Sequence, residues 1–172
     1  TETIKSQVMH PIRETARYTA TQCKKINDSC YVYHFPKNIA GVTKLNVKGK
    51  KGTILRLKHG ELLDKNGRVN MANIDYHYRP TDDSDPFQTD IVILSGKQDR
   101  FMPKFNYKGF QFVEISSSAP IELSGENLIA VEMHSDVPAI GYWSSSSELL
   151  NKIWKATNSS YCLLYTSDAA DD

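Results

Sequence analysis

Short runs of apolar residues alternating with polar ones, each closed by Gly, Asn, Asp or Pro, recur from Tyr31 to Met133 and read as β-strands at hairpin spacing. Val42 to Val47 places Leu45 and Val47 on one face and Lys44 and Asn46 on the other, and Lys48-Gly49-Lys50-Lys51-Gly52 then supplies a glycine-bearing turn. Thr53 to Lys58, with Leu55 and Leu57 opposite Arg56 and Lys58, is expected to pair back on that strand. Asp64-Lys65-Asn66-Gly67 closes the next segment, because Asn and Gly tolerate the positive φ of a tight turn. The near-continuous run Ile91-Val92-Ile93-Leu94 suits a central strand covered on both faces. Phe110 to Ile115 predicts a strand with Phe110 and Phe112 on one face and Val113 and Ile115 on the other, and Leu128 to Met133 predicts one more. Ser116 to Ser118 and Ser124 to Asn127 read as turns. No helical run long enough for a crossover lies between these segments, so the pattern implies an all-β antiparallel sandwich rather than a βαβ sheet.

The period changes after Trp143. Ser145 and Glu148 have capping-box spacing, and Leu149, Leu150, Ile153, Trp154, Thr157 and Tyr161 then recur at helical intervals. A single amphipathic helix at the end of an all-β domain needs something to bury its stripe, and a helical domain downstream is the natural partner.

Composition adjusts this picture only slightly. A chain of 172 residues suffices for one domain with a real core plus a remnant of another. Hydrophobic and charged fractions of 40% and 24% are ordinary for a globular protein, and no apolar run approaches the ~20 residues of a membrane span. The formal net charge is +1 with Lys and Arg scattered, so neither nucleic acid nor membrane is an expected partner. Thr1 opens a stretch without the layout of a signal peptide, leaving cytoplasmic and exported locations both open. Cys23, Cys30 and Cys162 fit no zinc spacing; a Cys23–Cys30 disulfide and reduced structural thiols are both compatible with the sequence, the second being preferred. No cofactor and no metal site is expected.

Tyr31-Val32-Tyr33-His34-Phe35 followed by Asn38-Ile39-Ala40-Gly41 resembles the opening of the concanavalin-like (jelly-roll-like) domain of bacterial α-L-rhamnosidases. Three further matches come in the family's order: Gly60-Glu61-Leu62-Leu63-Asp64 to Gly67-Arg68, then Gln88-Thr89-Asp90 to Gly96, then Pro103-Lys104-Phe105-Asn106-Tyr107-Lys108-Gly109-Phe110 to Glu114. Glu148 to Trp154 and on to Ser160-Tyr161 resembles the start of the family's (α/α)6 catalytic barrel. The chain departs from the family pattern at His34 and Pro36, where an acidic residue and Gly are usual, and at Gln111-Phe112, where Arg-Tyr is common. Cys162 to Asp172 resembles the translation of a sequencing-library adapter joined to a truncated frame. The resulting expectation is residues 1–30 as the end of an upstream domain or a linker, 31–140 as the sandwich, 141–161 as the first helix of a truncated catalytic domain, and 162–172 as an adapter-derived tail.

The resemblance implies a glycosidase that removes terminal α-L-rhamnose from rhamnose-containing glycosides or polysaccharides by inverting acid/base hydrolysis, using two carboxyl groups roughly 6.5–9.5 Å apart. Both are expected in the barrel, in cis, and no catalytic residue is assigned here; this chain alone is expected to be inactive. A freestanding carbohydrate-binding module is the alternative. Within the chain, Tyr76-His77-Tyr78-Arg79 is the candidate for sugar contact, Tyr76, Tyr78 and Arg79 offering stacking faces and a guanidinium, with an inward-packed aromatic strand as the plainer reading. Asp82-Asp83-Ser84-Asp85, between Pro80 and Pro86, reads as a solvated loop rather than a calcium site. Glu61 is the acidic position of most interest, read foremost as a turn-capping or domain-interface carboxylate. His10, His34, His59, His77 and His134 show no ligand clustering and read as surface or satisfied core histidines.

Overall fold

The computed structural model describes residues 9–73 and 87–168. The chain runs through β1 (Ile12–Thr19), β2 (Gln22–Asn27), β3 (Cys30–Lys48), β4 (Ile54–Gly60), β5 (Leu62–Leu63), β6 (Val69–Asn70), β7 (Thr89–Ile93), β8 (Gln98–Phe101), β9 (Lys108–Ser117), β10 (Leu128–Ser135) and helix α1 (Glu148–Asp168). It forms two compact units, residues 16–132 and a second made of residues up to 15 together with those from 133 onward.

The long strand β3 organises the first unit. Its first half, Cys30 to His34, lies between β2 and β9, whereas its second half, Gly41 to Lys48, pairs with β10 and β8. Between them the register breaks: His34 faces Phe112 and Ile39 faces Phe110, so five steps on β3 oppose two on β9. Pro36 sits in this bulge, where a residue without an N–H removes no ladder bond. A strand bent in this way passes from one layer of a sandwich to the other. Beyond β9 the order continues through β4 to β7, all antiparallel.

Side chains from both halves of β3 meet in one core. Tyr33 and Phe35 enter from the first half and Leu45 and Val47 from the second, against Leu55, Leu57, Val113, Ile115 and Leu128. The buried tyrosines keep their hydroxyls satisfied, Tyr31 donating to the Ile121 carbonyl at 3.0 Å and Tyr33 to that of Ser124 at 2.8 Å. Gly41 marks the tightest approach of β3 to β10, because a Cβ there would stand 1.9 Å from the Val131 carbonyl oxygen.

The alternation of Leu45 and Val47 against Lys44 and Asn46, and of Leu55 and Leu57 against Arg56, appears as expected, but three expectations are corrected. The segment Thr53 to Lys58 does not pair back on β3. Strand β4 pairs with β9 and β7, so the glycine-bearing turn carries the chain between layers, tied by Gly52 N–H to the Leu94 carbonyl at 2.8 Å. Strand β7 ends the sheet order rather than lying at its centre: Asp90 and Leu94 point inward while Ile91 and Ile93 are exposed, Ile93 at 67%. Phe110 is buried in the core together with Val113 and Ile115, and Phe112 is only half-buried. Residues 12–19 and 22–27 form β1 and β2, from which Tyr18 and Cys23 pack against the core.

In the second unit, Asp136 N–H donates to the Pro11 carbonyl at 3.1 Å, and the Trp143 and Trp154 rings lie tilted at 36° with centroids 6.5 Å apart. The helix forms where the period predicts, but the Ser145/Glu148 box does not. Ser147 is the cap, its Oγ accepting from Leu150 N–H at 3.5 Å, because the Asn151 amide already holds both the N–H and the C=O of Ser145 at 2.9 Å. Glu148 pairs instead with Lys152 at 2.7 Å. Leu149, Leu150, Ile153 and Tyr161 are exposed. The helix continues through residues 162–168, and among the described residues no helix is long and apolar enough to cross a membrane.

Candidate functional site

Where the ends of β4, β7 and β9 converge, the core becomes polar. His59 is fully buried; its Nδ1 lies 3.1 Å from the Gln88 carbonyl and its Nε2 3.1 Å from Thr43 Oγ1. A carbonyl only accepts, so Nδ1 carries the proton and Nε2 accepts from the Thr43 hydroxyl. Burial pushes the imidazole down from 6.5 to about 4, with Asp90 opposing that shift and Lys108 adding to it, so the ring is neutral at physiological pH. Beside it Lys108 Nζ donates to Asp90 Oδ1 at 2.7 Å and to Asn106 Oδ1 at 3.1 Å, with Lys108 and Asp90 both buried. Among the described residues no cluster of three potential metal ligands exists. Gln88 holds a left-handed φ of 52°, and its Oε1 and the Asp90 Oδ2 are buried without a hydrogen-bond partner among the described residues.

Among the described residues of this unit, Glu61, Glu114, Glu132 and Asp64 are also engaged. Glu61 accepts from Asn38 Nδ2 at 2.7 Å and Asn73 Nδ2 at 3.0 Å, which ties the β3 bulge to the end of β4 and to the segment after β6. Buried Glu114 accepts from Arg68 Nη2 at 2.6 Å, Arg68 Nε at 3.3 Å and Val69 N–H at 3.1 Å, fastening the β5–β6 hairpin over the sheet. Glu132 binds Lys37 Nζ at 2.8 Å and the Tyr18 hydroxyl at 2.7 Å. The hairpin turn itself is held by Asp64, which accepts from the N–H groups of Arg68 and Asn66, with Gly67 at φ 78°. These carboxylates act as clamps: an acid catalyst needs an approachable oxygen, and the oxygens of these are taken up by cations and N–H donors.

On the outer face of the sheet, Gln22, His34 and Phe112 form one cross-strand row. The His34 and Phe112 rings stack at 4.7 Å and 26°, and Gln111 Nε2 lies 3.3 Å from His34 Nε2. Above this row, Leu63 and Gly67 of the hairpin and Lys24 of β2 enclose a groove of about 220 Å³. Sequence reasoning passed over it, because its residues are scattered across four elements. Tyr76, Tyr78 and Arg79 lie outside the described residues, as do His77 and the Asp82-Asp83-Ser84-Asp85 cluster. Cys23 and Cys30 are both free thiols, so the disulfide alternative falls.

The model of the bacterial alpha-L-rhamnosidase concanavalin-like domain matches residues 24–134. The chain belongs to this family. The concanavalin-like domain is accompanied by similarity over most of the chain to whole enzymes. An alpha-L-rhamnosidase of Streptomyces avermitilis is 27% identical over 153 residues, 88% of this chain and 14% of the relative. The crystal structure of Streptomyces avermitilis alpha-L-rhamnosidase complexed with L-rhamnose superposes with a TM-score of 0.80 at 25% identity, covering 93% of this chain and 15% of that one. The alpha-L-rhamnosidase from Dictyoglumus thermophilum gives a TM-score of 0.73 at 29% identity, covering 86% and 16%. The concanavalin-like domain and its neighbouring helix thus span about one seventh of such relatives.

Proposed function

We propose that this chain is the non-catalytic sandwich portion of an α-L-rhamnosidase, a glycosidase releasing terminal α-L-rhamnose from glycosides or polysaccharides by inverting hydrolysis. The observation that carries the reading is the family match over residues 24–134 in a chain that spans 14% of its relative's length. Inversion requires one protonated carboxyl on the leaving oxygen and one carboxylate on the attacking water, roughly 6.5–9.5 Å apart. Glu61, Asp90, Glu114 and Glu132 are committed to internal partners, so the acid and base belong to the (α/α)6 barrel, in which α1 is the first helix. The exposed Leu149, Leu150 and Ile153 suit that role, since a helix in a barrel buries its stripe on its neighbours. The sandwich then holds the barrel in place. A freestanding binding module is not favoured, because the matched relatives are whole enzymes.

The test is hydrolysis of an aryl α-L-rhamnoside by this chain and by the same chain joined to the rest of its reading frame. No turnover is expected from the chain alone, and turnover yielding the inverted anomer, read by proton NMR, from the joined protein. Hydrolysis by the chain alone, lost in Glu61→Gln, would overturn the assignment. We further propose that Tyr76, Tyr78 and Arg79 contact the sugar: Tyr78→Ala in the joined protein should raise KM at unchanged Tm, and lost stability with unchanged KM would refute the contact.

A further inference from the structure

The turn between β5 and β6 carries a covalent chemistry that neither the scaffold role nor the core uses. Asn66-Gly67 is the one Asn-Gly pair in the sequence. An asparagine side-chain amide is open to attack by the main-chain nitrogen of the next residue, and glycine, without a Cβ, shields that nitrogen least. The turn cannot give the glycine up, since Gly67 holds a φ of 78° and a Cβ there would stand 2.9 Å from Lys24 Nζ. Asn66 is exposed, so water reaches it. The same turn restrains the nucleophile. Gly67 N–H donates to the Asp64 carbonyl at 2.9 Å, and Asp64 and Arg68 are tied by Asp64 N–H to the Arg68 carbonyl at 2.8 Å and by Arg68 N–H to Asp64 Oδ1 at 2.9 Å. Arg68 and Val69 in turn grip buried Glu114 on β9. The Gly67 nitrogen reaches the Asn66 side chain only while its own hydrogen bond is open, and two strands of two residues each open locally at far lower cost than the core.

We propose that Asn66 is a self-modification site, a deamidation site whose rate is set by the Arg68–Glu114 clamp. The Gly67 nitrogen bonds to Asn66 Cγ and gives up its proton, the Cγ–Nδ2 bond breaks, and ammonia leaves, closing a succinimide ring. Water then opens the ring at either carbonyl, which leaves aspartate or isoaspartate at position 66. No oxidant, reductant or co-reactant other than water enters. The isoaspartate product carries the main chain through its former side chain and so inserts one extra carbon into the turn, where the Gly67 N–H to Asp64 carbonyl bond no longer closes in register. Modification therefore loosens the hairpin whose opening permits it, and with it the hold of Arg68 on Glu114. All of these residues lie within 16–132, so the proposal does not depend on the glycosidase reading.

The test incubates the chain, folded and unfolded in urea, in mildly alkaline buffer made with heavy-oxygen water. Mass spectrometry of chymotryptic peptides follows each asparagine, and electron-transfer fragmentation tells isoaspartate from aspartate. Asn66 should convert ahead of every other asparagine in both states, with both products, and more slowly in the folded chain. Glu114→Gln, checked for folding by near-UV circular dichroism, should speed the folded-state reaction roughly tenfold, the worth of one charge-assisted hydrogen bond. Arg68→Gln, at a half-exposed side chain, should do the same from the other side of the clamp. Tyr33→Phe weakens the core by removing the bond to the Ser124 carbonyl, and it should leave the rate unchanged because the opening is local. Another asparagine converting first in the folded chain, wild-type rates in both clamp variants, or equal acceleration by Tyr33→Phe would each overturn the proposal. Failure here leaves the hydrolysis assay of the joined protein unaffected, so the two readings fail separately.

Discussion

Acidification should unfold this sandwich through one residue, His59. In the unfolded chain its imidazole titrates near 6.5, whereas burial between Thr43, Gln88 and Phe110 lowers it to about 4 in the folded state. Between those values the unfolded state binds a proton that the folded state does not, so stability is complete above about pH 6.5 and falls as the pH drops toward 4. At pH 5 the linkage works out to about 2 kcal/mol, and it reaches about 3 kcal/mol once both states are protonated. That is a large share of the 5–15 kcal/mol typical of a domain. Urea unfolding from pH 7.5 to 4.5 measures it, and His59→Gln supplies the control. Glutamine leaves a pH-independent loss from imperfect hydrogen bonds to Thr43 and Gln88 but removes the titration. The wild type should lose about 2 kcal/mol more than His59→Gln between pH 7.5 and 5. Parallel curves for the two proteins over that range would refute the reasoning.

Gly41→Ala should prevent folding or cost several kcal/mol, on the order of 3, because the added methyl meets the Val131 carbonyl of β10 rather than a movable side chain; soluble yield and thermal melting check it. Glu114→Gln should destabilise by about 2 kcal/mol, leaving Arg68 unpaired while retaining an acceptor for Val69 N–H, and amide exchange should rise in residues 62–70 before it rises in β9. The Cys30 thiol, buried and pushed up chiefly by desolvation, should react with a thiol reagent only on unfolding, whereas half-buried Cys23 should react slowly in the folded protein. Mass spectrometry of pulse-labelled protein separates the two. Ser147→Ala should lower the helicity of α1 by the roughly 0.5–1 kcal/mol of a weak N-cap, read by circular dichroism, whereas Ser145→Ala leaves the Asn151 contacts to its backbone in place.

The face assignments were legible because alternation reports burial directly. Leu45 and Val47, or Leu55 and Leu57, could only point into a core. Pairing partners were not legible: Lys48 to Gly52 would serve a hairpin as well as the interlayer connection it makes, and only contacts distant in sequence decide. The run Ile91 to Leu94 misled because aliphatics on an exposed outer face look the same as those covered on both sides. His59 was read correctly as a satisfied core histidine, but the Asp90–Lys108 pair joins residues 18 apart and leaves no local trace. One sequence signal gained meaning only in space. The positions at which the sequence departs from the pattern it resembles, His34 and Gln111-Phe112, are neighbours in space: His34 stacks on Phe112 and lies within hydrogen-bond reach of Gln111.

Strand β3 also sets when this protein can become itself during synthesis. Its two halves recruit neighbours from opposite stretches of the chain, β2 just before it and β10 some eighty residues after it. As the polypeptide leaves the ribosome, the early half of β3 can hold only a hairpin with β2, and a lone hairpin is marginal in water. The core does not close until β9 and β10 have emerged, so Tyr33, Phe35, Leu45 and Val47 wait unburied while the strands from β4 to β10 are made. The shared strand that leaves the finished sandwich without a seam makes the nascent one a client for whatever shields it.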